Sequence, residues 1–107
     1  LSVSHEKVGD VQRGQGDLAG AVTSYRKSLA ISERLAASDA SNAEWQRDIW
    51  VIYRRMGDVL ALSSPAESTE WFRRALQQLS DMKRRGLFIS PADERTFQWL
   101  RNKLGAD

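Results

Sequence analysis

The chain has 107 residues, 41% hydrophobic and 28% charged, with a formal net charge of +2. It has no cysteine and one histidine, which excludes disulfides and thiol catalysis and leaves a zinc site without thiolate ligands. No apolar run approaches the ~20 residues of a membrane helix, no signal-peptide pattern is present, and +2 is too small a charge to imply a polyanion partner by itself. A chain of this kind is expected in the cytoplasm, away from membranes.

In chain order, Leu1–Arg13 reads as the end of a helix. Gly14 and Gly16 break it and let the chain reverse. A second helix is predicted over Leu18–Ser38, with Asp17 as N-cap and Leu18, Val22, Tyr25, Leu29 and Leu35 as its apolar stripe. The third is predicted from Asn42 to Leu62. Trp45, Ile49, Ile52, Met56 and Val59 fall at steps of 4, 3, 4 and 3 residues, and Ser41 and Glu44 have the spacing of a capping box. The fourth starts at Ser64-Pro65-Ala66-Glu67, carries Phe72, Leu76, Leu79 and Met82 on one face, and ends at Gly86. Ser90-Pro91-Ala92-Asp93 opens a fifth helix, whose apolar residues are Phe97, Leu100 and Leu104. No segment alternates as a strand, so the fold class is all-α.

An internal repeat runs through these elements. Gly9-Asp10-Val11 recurs as Gly57-Asp58-Val59 at an offset of 48, and Tyr25-Arg26-Lys27-Ser28-Leu29 recurs as Phe72-Arg73-Arg74-Ala75-Leu76 at an offset of 47. His5-x2-Val8-Gly9-x2-Gln12 followed by Ala21-x3-Tyr25, and Tyr53-x2-Met56-Gly57-x2-Leu60 followed by Ser68-x3-Phe72, resemble the tetratricopeptide repeat. The period is longer than that family's ~34 residues, as in bacterial members with lengthened helices; a HEAT-type repeat, of ~40–47 residues, is the alternative.

The resemblance implies a right-handed solenoid of antiparallel helix hairpins with about five helices. Residues 1–40 would form one repeat with its first helix cut short, 41–86 a second, and 87–107 a capping helix. The chain is expected to be the C-terminal part of a longer repeat protein, with an exposed edge at the first helix that favours self-association. Gly9 and Gly57 would mark close approach of paired helices, with Ala21 and Ser68 as the small residues opposite. Gly20 has no evident role in this pattern.

Repeat solenoids bind partners in a concave groove built mainly from first helices. Carried onto this chain, the groove positions are Val3, Glu6, Asp10 and Arg13 in the first copy and Val51, Arg54, Asp58 and Leu62 in the second, with Trp50 as a candidate anchor. A protein or peptide partner is expected, and neither cofactor nor metal. Some members of the family clamp a terminal carboxylate; here Glu6 and Asp10 occupy the matching positions and are expected to repel one. Asp10 and Asp58 are repeat equivalents rather than a catalytic acid pair, and His5 takes the aromatic packing position, so the reading is a non-enzymatic interaction scaffold. The alternative is a nucleic-acid-binding or regulatory helical domain using Arg73, Arg74, Lys83, Arg84 and Arg85, although the base-stacking aromatics of an RNA reader are missing. Cations late in a helix also complement its dipole.

Overall fold

A computed structural model describes residues 2–105. Within them the chain is all-helical: α1 (Ser2–Gly14), α2 (Leu18–Ser38), α3 (Ala43–Leu60), α4 (Pro65–Arg84) and α5 (Pro91–Leu104). Each helix packs chiefly against its neighbours in the chain, α1 on α2, α2 on α3, α3 on α4 and α4 on α5. Leu1 and the side chain of Val3, one of the expected groove positions, lie outside the described residues.

The helix boundaries follow from local chemistry. Asp17 caps α2 by accepting from the backbone N–H of Gly20 at 2.9 Å. This also accounts for Gly20: a Cβ there would collide with the capping carboxylate of Asp17. Asn42, not Ser41, caps α3, accepting from the N–H of Trp45 at 3.0 Å. The Ser41 hydroxyl is instead turned back to the Asp39 carboxylate at 2.7 Å, so the expected capping box is not formed. Ser64 makes no side-chain cap bond, and α4 starts on the fixed backbone of Pro65. At α5, Ser90 caps as expected, accepting from the Asp93 N–H at 3.1 Å. Gly16 (φ 80°) and Gly86 (φ 72°) take the left-handed backbone that reverses the chain after α1 and α4.

α3 ends at Leu60, two residues before the expected end, and Leu62 stands on the following turn, 96% exposed. Its main apolar face, Ile49, Ile52, Met56 and Val59, is buried in one core cluster with Ala21, Tyr25, Leu29 and Ala36 of α2 and Trp71 of α4. Trp50 turns to a second cluster with Phe72, Ala75, Leu79, Met82, Phe97 and Leu100. Tyr53 packs against both. One central helix thus serves two layers of core.

The buried face of α2 differs from the expected stripe. Leu18 and Leu35 are exposed, whereas Ser24, Ser28 and Ser32 are buried beside Ala21, Tyr25, Leu29 and Ala36. The small side chains at 24, 28, 32 and 36 form one i,i+4 row along the helix. Ser24 donates to the Gln12 side-chain carbonyl of α1 at 2.6 Å.

The glycine echo has a direct structural meaning. A Cβ on Gly9 would lie 2.7 Å from Cε1 of Tyr25, and a Cβ on Gly57 would lie 2.7 Å from Cε1 of Phe72. Each first helix therefore accepts an aromatic ring of the next helix against bare backbone. It is this ring, rather than Ala21 or Ser68, that occupies the space over the glycine. Ser68 lies alongside and donates its hydroxyl to the Gly57 carbonyl at 2.6 Å.

Candidate binding groove

Polar side chains bridge the odd-numbered helices. From α3, the Arg55 guanidinium reaches α1, with Nε 2.8 Å from Glu6 and 3.4 Å from Asp10. Asp10 also accepts from the Tyr25 hydroxyl at 2.5 Å. Burial first, and then this carboxylate, hold the Tyr25 phenol above its ordinary pKa. Toward α5, Arg47 makes two hydrogen bonds to Asp93, at 2.7 and 3.1 Å. Arg54 donates to the Thr96 hydroxyl at 3.4 Å and lies over the Trp99 ring, 4.7 Å from its centroid. Its separation from Asp58 is 4.0 Å.

These residues line two hollows that meet at Arg55. One, of about 400 Å³, is bounded by Asp10, Arg13, Gly14 and Arg55. The other, of about 380 Å³, runs along Arg47, Trp50, Val51, Arg54, Arg55 and Asp58 on α3 and Ala92, Asp93 and Thr96 on α5. They lie on either side of Arg55, one between α1 and α3 and the other between α3 and α5. Formal charges along them balance: Arg13, Arg47, Arg54 and Arg55 against Glu6, Asp10, Asp58 and Asp93.

Most of the sequence-predicted groove residues converge here. Asp10, Arg13, Val51, Arg54 and Asp58 line the hollows, and Glu6 holds Arg55 at their junction. Two expectations are corrected. Leu62 does not reach the groove, because α3 has already ended and the side chain points from a turn into solvent. Trp50 is no exposed anchor: it is 3% exposed, part of the second core cluster, with Arg47 over its ring. Its indole N–H is buried without an acceptor. Trp99, packed edge-on against Phe72, is an exposed aromatic beside Arg54.

Arg47, Arg55 and Asp93 were not anticipated. Arg47 stands two helical turns before Arg54, on the same face, and Arg55 is the repeat equivalent of Lys7. Those two regularities are the signals that could have found the two arginines; neither marks Asp93.

The basic residues of α4 do not form an unopposed patch. Arg73 and Arg74 face Glu70 at 3.7 and 3.9 Å, and Arg74 lies over Trp71. Lys83 is held by Glu94 at 2.6 Å, Arg84 pairs with Asp81, and Arg85 meets Asp81 at 3.4 Å and donates to the Ala40 carbonyl at 2.5 Å. The hydrogen bond from Lys83 holds the Glu94 carboxyl below its ordinary range.

Val8 and Val11 on α1 are 49% and 59% exposed, whereas their repeat equivalents Met56 and Val59 are buried against α2. Among the described residues, no helix is long and apolar enough to cross a membrane, and no group of three or more His, Cys, Asp or Glu side chains is placed to hold a metal ion. Compared with known proteins, the chain matches no family model, no curated protein and no solved structure.

Proposed function

We propose that the chain is a non-enzymatic interaction scaffold of the tetratricopeptide-like, right-handed helix-hairpin type, binding a protein segment in the groove across α1, α3 and α5. The observation that carries this reading is the row of cross-helix bridges, Glu6 and Asp10 to Arg55, Arg47 to Asp93 and Arg54 to Thr96. They hold three odd-numbered helices in one polar surface with two hollows open along it. The two Gly–aromatic contacts support the repeat reading, since each hairpin is closed in the same way at the same repeat positions.

The test is selection of binding peptides from a display library, followed by hydrogen exchange on the complex. Protection in α1, α3 and α5 is expected. Protection confined to α2 and α4 would refute the groove. The nucleic-acid alternative is disfavoured by the carboxylate partners of the α4 cations, and an oligonucleotide titration across a range of salt tests it directly.

The same reading makes the Val8–Val11 face a site of self-association, because a further helix there would complete the packing seen at Met56 and Val59. Sedimentation velocity is expected to show concentration-dependent dimers that Val8→Asp abolishes; a monomer at all concentrations would remove this part of the proposal.

A further inference from the structure

The charges of the groove balance formally, yet they are not equally available. Glu6 is engaged by Arg55 at 2.8 Å. Asp10 accepts from the Tyr25 hydroxyl at 2.5 Å and faces Arg55 at 3.4 Å. Asp93 is 5% exposed and takes both hydrogen bonds of Arg47. Arg47 and Arg55 are thus each held by carboxylates, Arg47 by Asp93 and Arg55 by Glu6 and Asp10 together, so these two cations are engaged within the protein.

The remaining cations are not. Arg13 borders the first hollow and has no carboxylate partner among the described residues. Arg54 borders the second, and its contacts are the neutral Thr96 hydroxyl and the face of Trp99, with Asp58 only at 4.0 Å. Lys103 of α5 lies over the same indole, 5.6 Å from its centroid, again without a carboxylate partner among the described residues. Asp58 is a loosely paired carboxylate of the second hollow. Contacts with the Trp99 ring and the Thr96 hydroxyl restrict the Arg54 guanidinium, and a pre-ordered guanidinium binds a carboxylate with little further loss of side-chain freedom.

We propose that the groove selects an acidic protein segment, its carboxylates received by Arg13 and by the Arg54–Trp99–Lys103 cluster. This rests on the groove reading above and gives it a partner chemistry. Repulsion of a carboxylate by Glu6 and Asp10 is offset in part by Arg55, which faces both acids.

The experiment uses fluorescence anisotropy with three labelled peptides of equal length, alternating alanine with Glu, Gln or Lys. The Glu peptide is expected to bind about tenfold more tightly than the Gln peptide, and Arg54→Gln or Arg13→Gln to remove most of that preference. Asp58→Asn is expected to tighten it. Neither arginine variant is expected to shift the melting temperature by much, since neither side chain closes a short ion pair. A preference for the Lys peptide, or equal binding of all three, overturns the acidic selection and leaves the groove standing. Absence of binding by all three peptides overturns both. A single-stranded oligonucleotide that displaces the Glu peptide, binds more tightly, and loses affinity in Arg54→Gln would assign the cations to a nucleic-acid backbone and overturn the protein-segment proposal.

Discussion

Arg47 and Asp93 lie 46 residues apart and meet through two hydrogen bonds, joining the middle of the chain to the first turn of its last helix. Asp93 is almost wholly buried, while the Arg47 side chain is about half exposed, at 47%. Removing the arginine leaves a buried acceptor without its donor, which costs about 1–3 kcal/mol. Arg47→Ala is expected to lower Tm by about 4–8 °C per kcal/mol lost and to raise hydrogen exchange first in α5. A double-mutant cycle with Asp93→Asn isolates the pair. A coupling energy near zero would show that α5 is docked by its apolar residues alone.

Gly57 and Phe72 provide a second test. A methyl at Gly57 meets ring atoms of Phe72 at 2.7 and 2.8 Å, and the ring is buried. Gly57→Ala is expected to destabilise by about 1–3 kcal/mol through overpacking, against a gain in helix propensity of about 1 kcal/mol. Phe72→Leu in the Gly57→Ala background is expected to recover part of the loss. Gly14 is the control, because a Cβ there meets nothing within 4 Å. Gly14→Ala is expected to be neutral or to stabilise by up to about 1 kcal/mol. Thermal melts of the variants decide the question.

Tyr25→Phe separates packing from hydrogen bonding. Phe72 fills the equivalent repeat position, so the ring itself is compatible with the fold. The variant loses the bond to Asp10 and is expected to cost about 1 kcal/mol in urea unfolding. The Tyr25 phenol has its pKa raised, chiefly by burial. Its stabilising contribution is therefore complete below the unfolded tyrosine value of about 10 and is lost as pH rises beyond it. The wild-type protein is expected to lose stability in alkali more steeply than Tyr25→Phe; parallel curves would show that the phenol does not titrate with unfolding.

Asp48 carries the opposite message for a carboxylate. Burial first, and then Glu6 and Glu44, hold its carboxyl above the ordinary range. A folded pKa above the unfolded one means that the ionised group weakens the fold at neutral pH, and that this penalty disappears as the pH falls below about 3.9. Asp48→Asn is expected to raise Tm at pH 7 by a small amount, with the difference gone in acid. An equal or lower Tm at pH 7 would contradict the assignment.

The apolar stripe of α3 was legible because Ile49, Ile52, Met56 and Val59 are apolar and spaced for a helix. Gly9 and Gly57 were legible as sites of close approach, but what approaches them was not, since a ring 15 or 16 residues away carries no local signal. The α2 face was misread because serine reads as surface, and Ser24, Ser28 and Ser32 show their role only when small size is weighed against polarity. Trp50 was misread for a related reason: it stands beside the main stripe of α3, and its burial depends on the second layer formed by α4 and α5. Of the groove, the positions on α1 and α3 were legible through the repeat. Its closure by Arg47, Arg55 and Asp93 was not, because a charged residue reveals its partner only in space.

The two glycine–aromatic contacts also separate what must be conserved in a hairpin from what is free to vary. Gly9 and Tyr25 are 16 residues apart, Gly57 and Phe72 are 15 apart, and the same contact is reached in both. Both rings stand seven residues after the first residue of their helix, and the difference is absorbed before it: α1 runs on to Gly14 and connects to α2 through residues 15–17, whereas α3 ends at Leu60 and connects to α4 through residues 61–64. Each pair of helices thus behaves like a clasp with an adjustable strap. Turn segments exchanged between the hairpins, or lengthened by a residue, leave the clasp free to close, and Leu62, which faces only solvent, is a suitable point at which to tether a reporter or a second binding module.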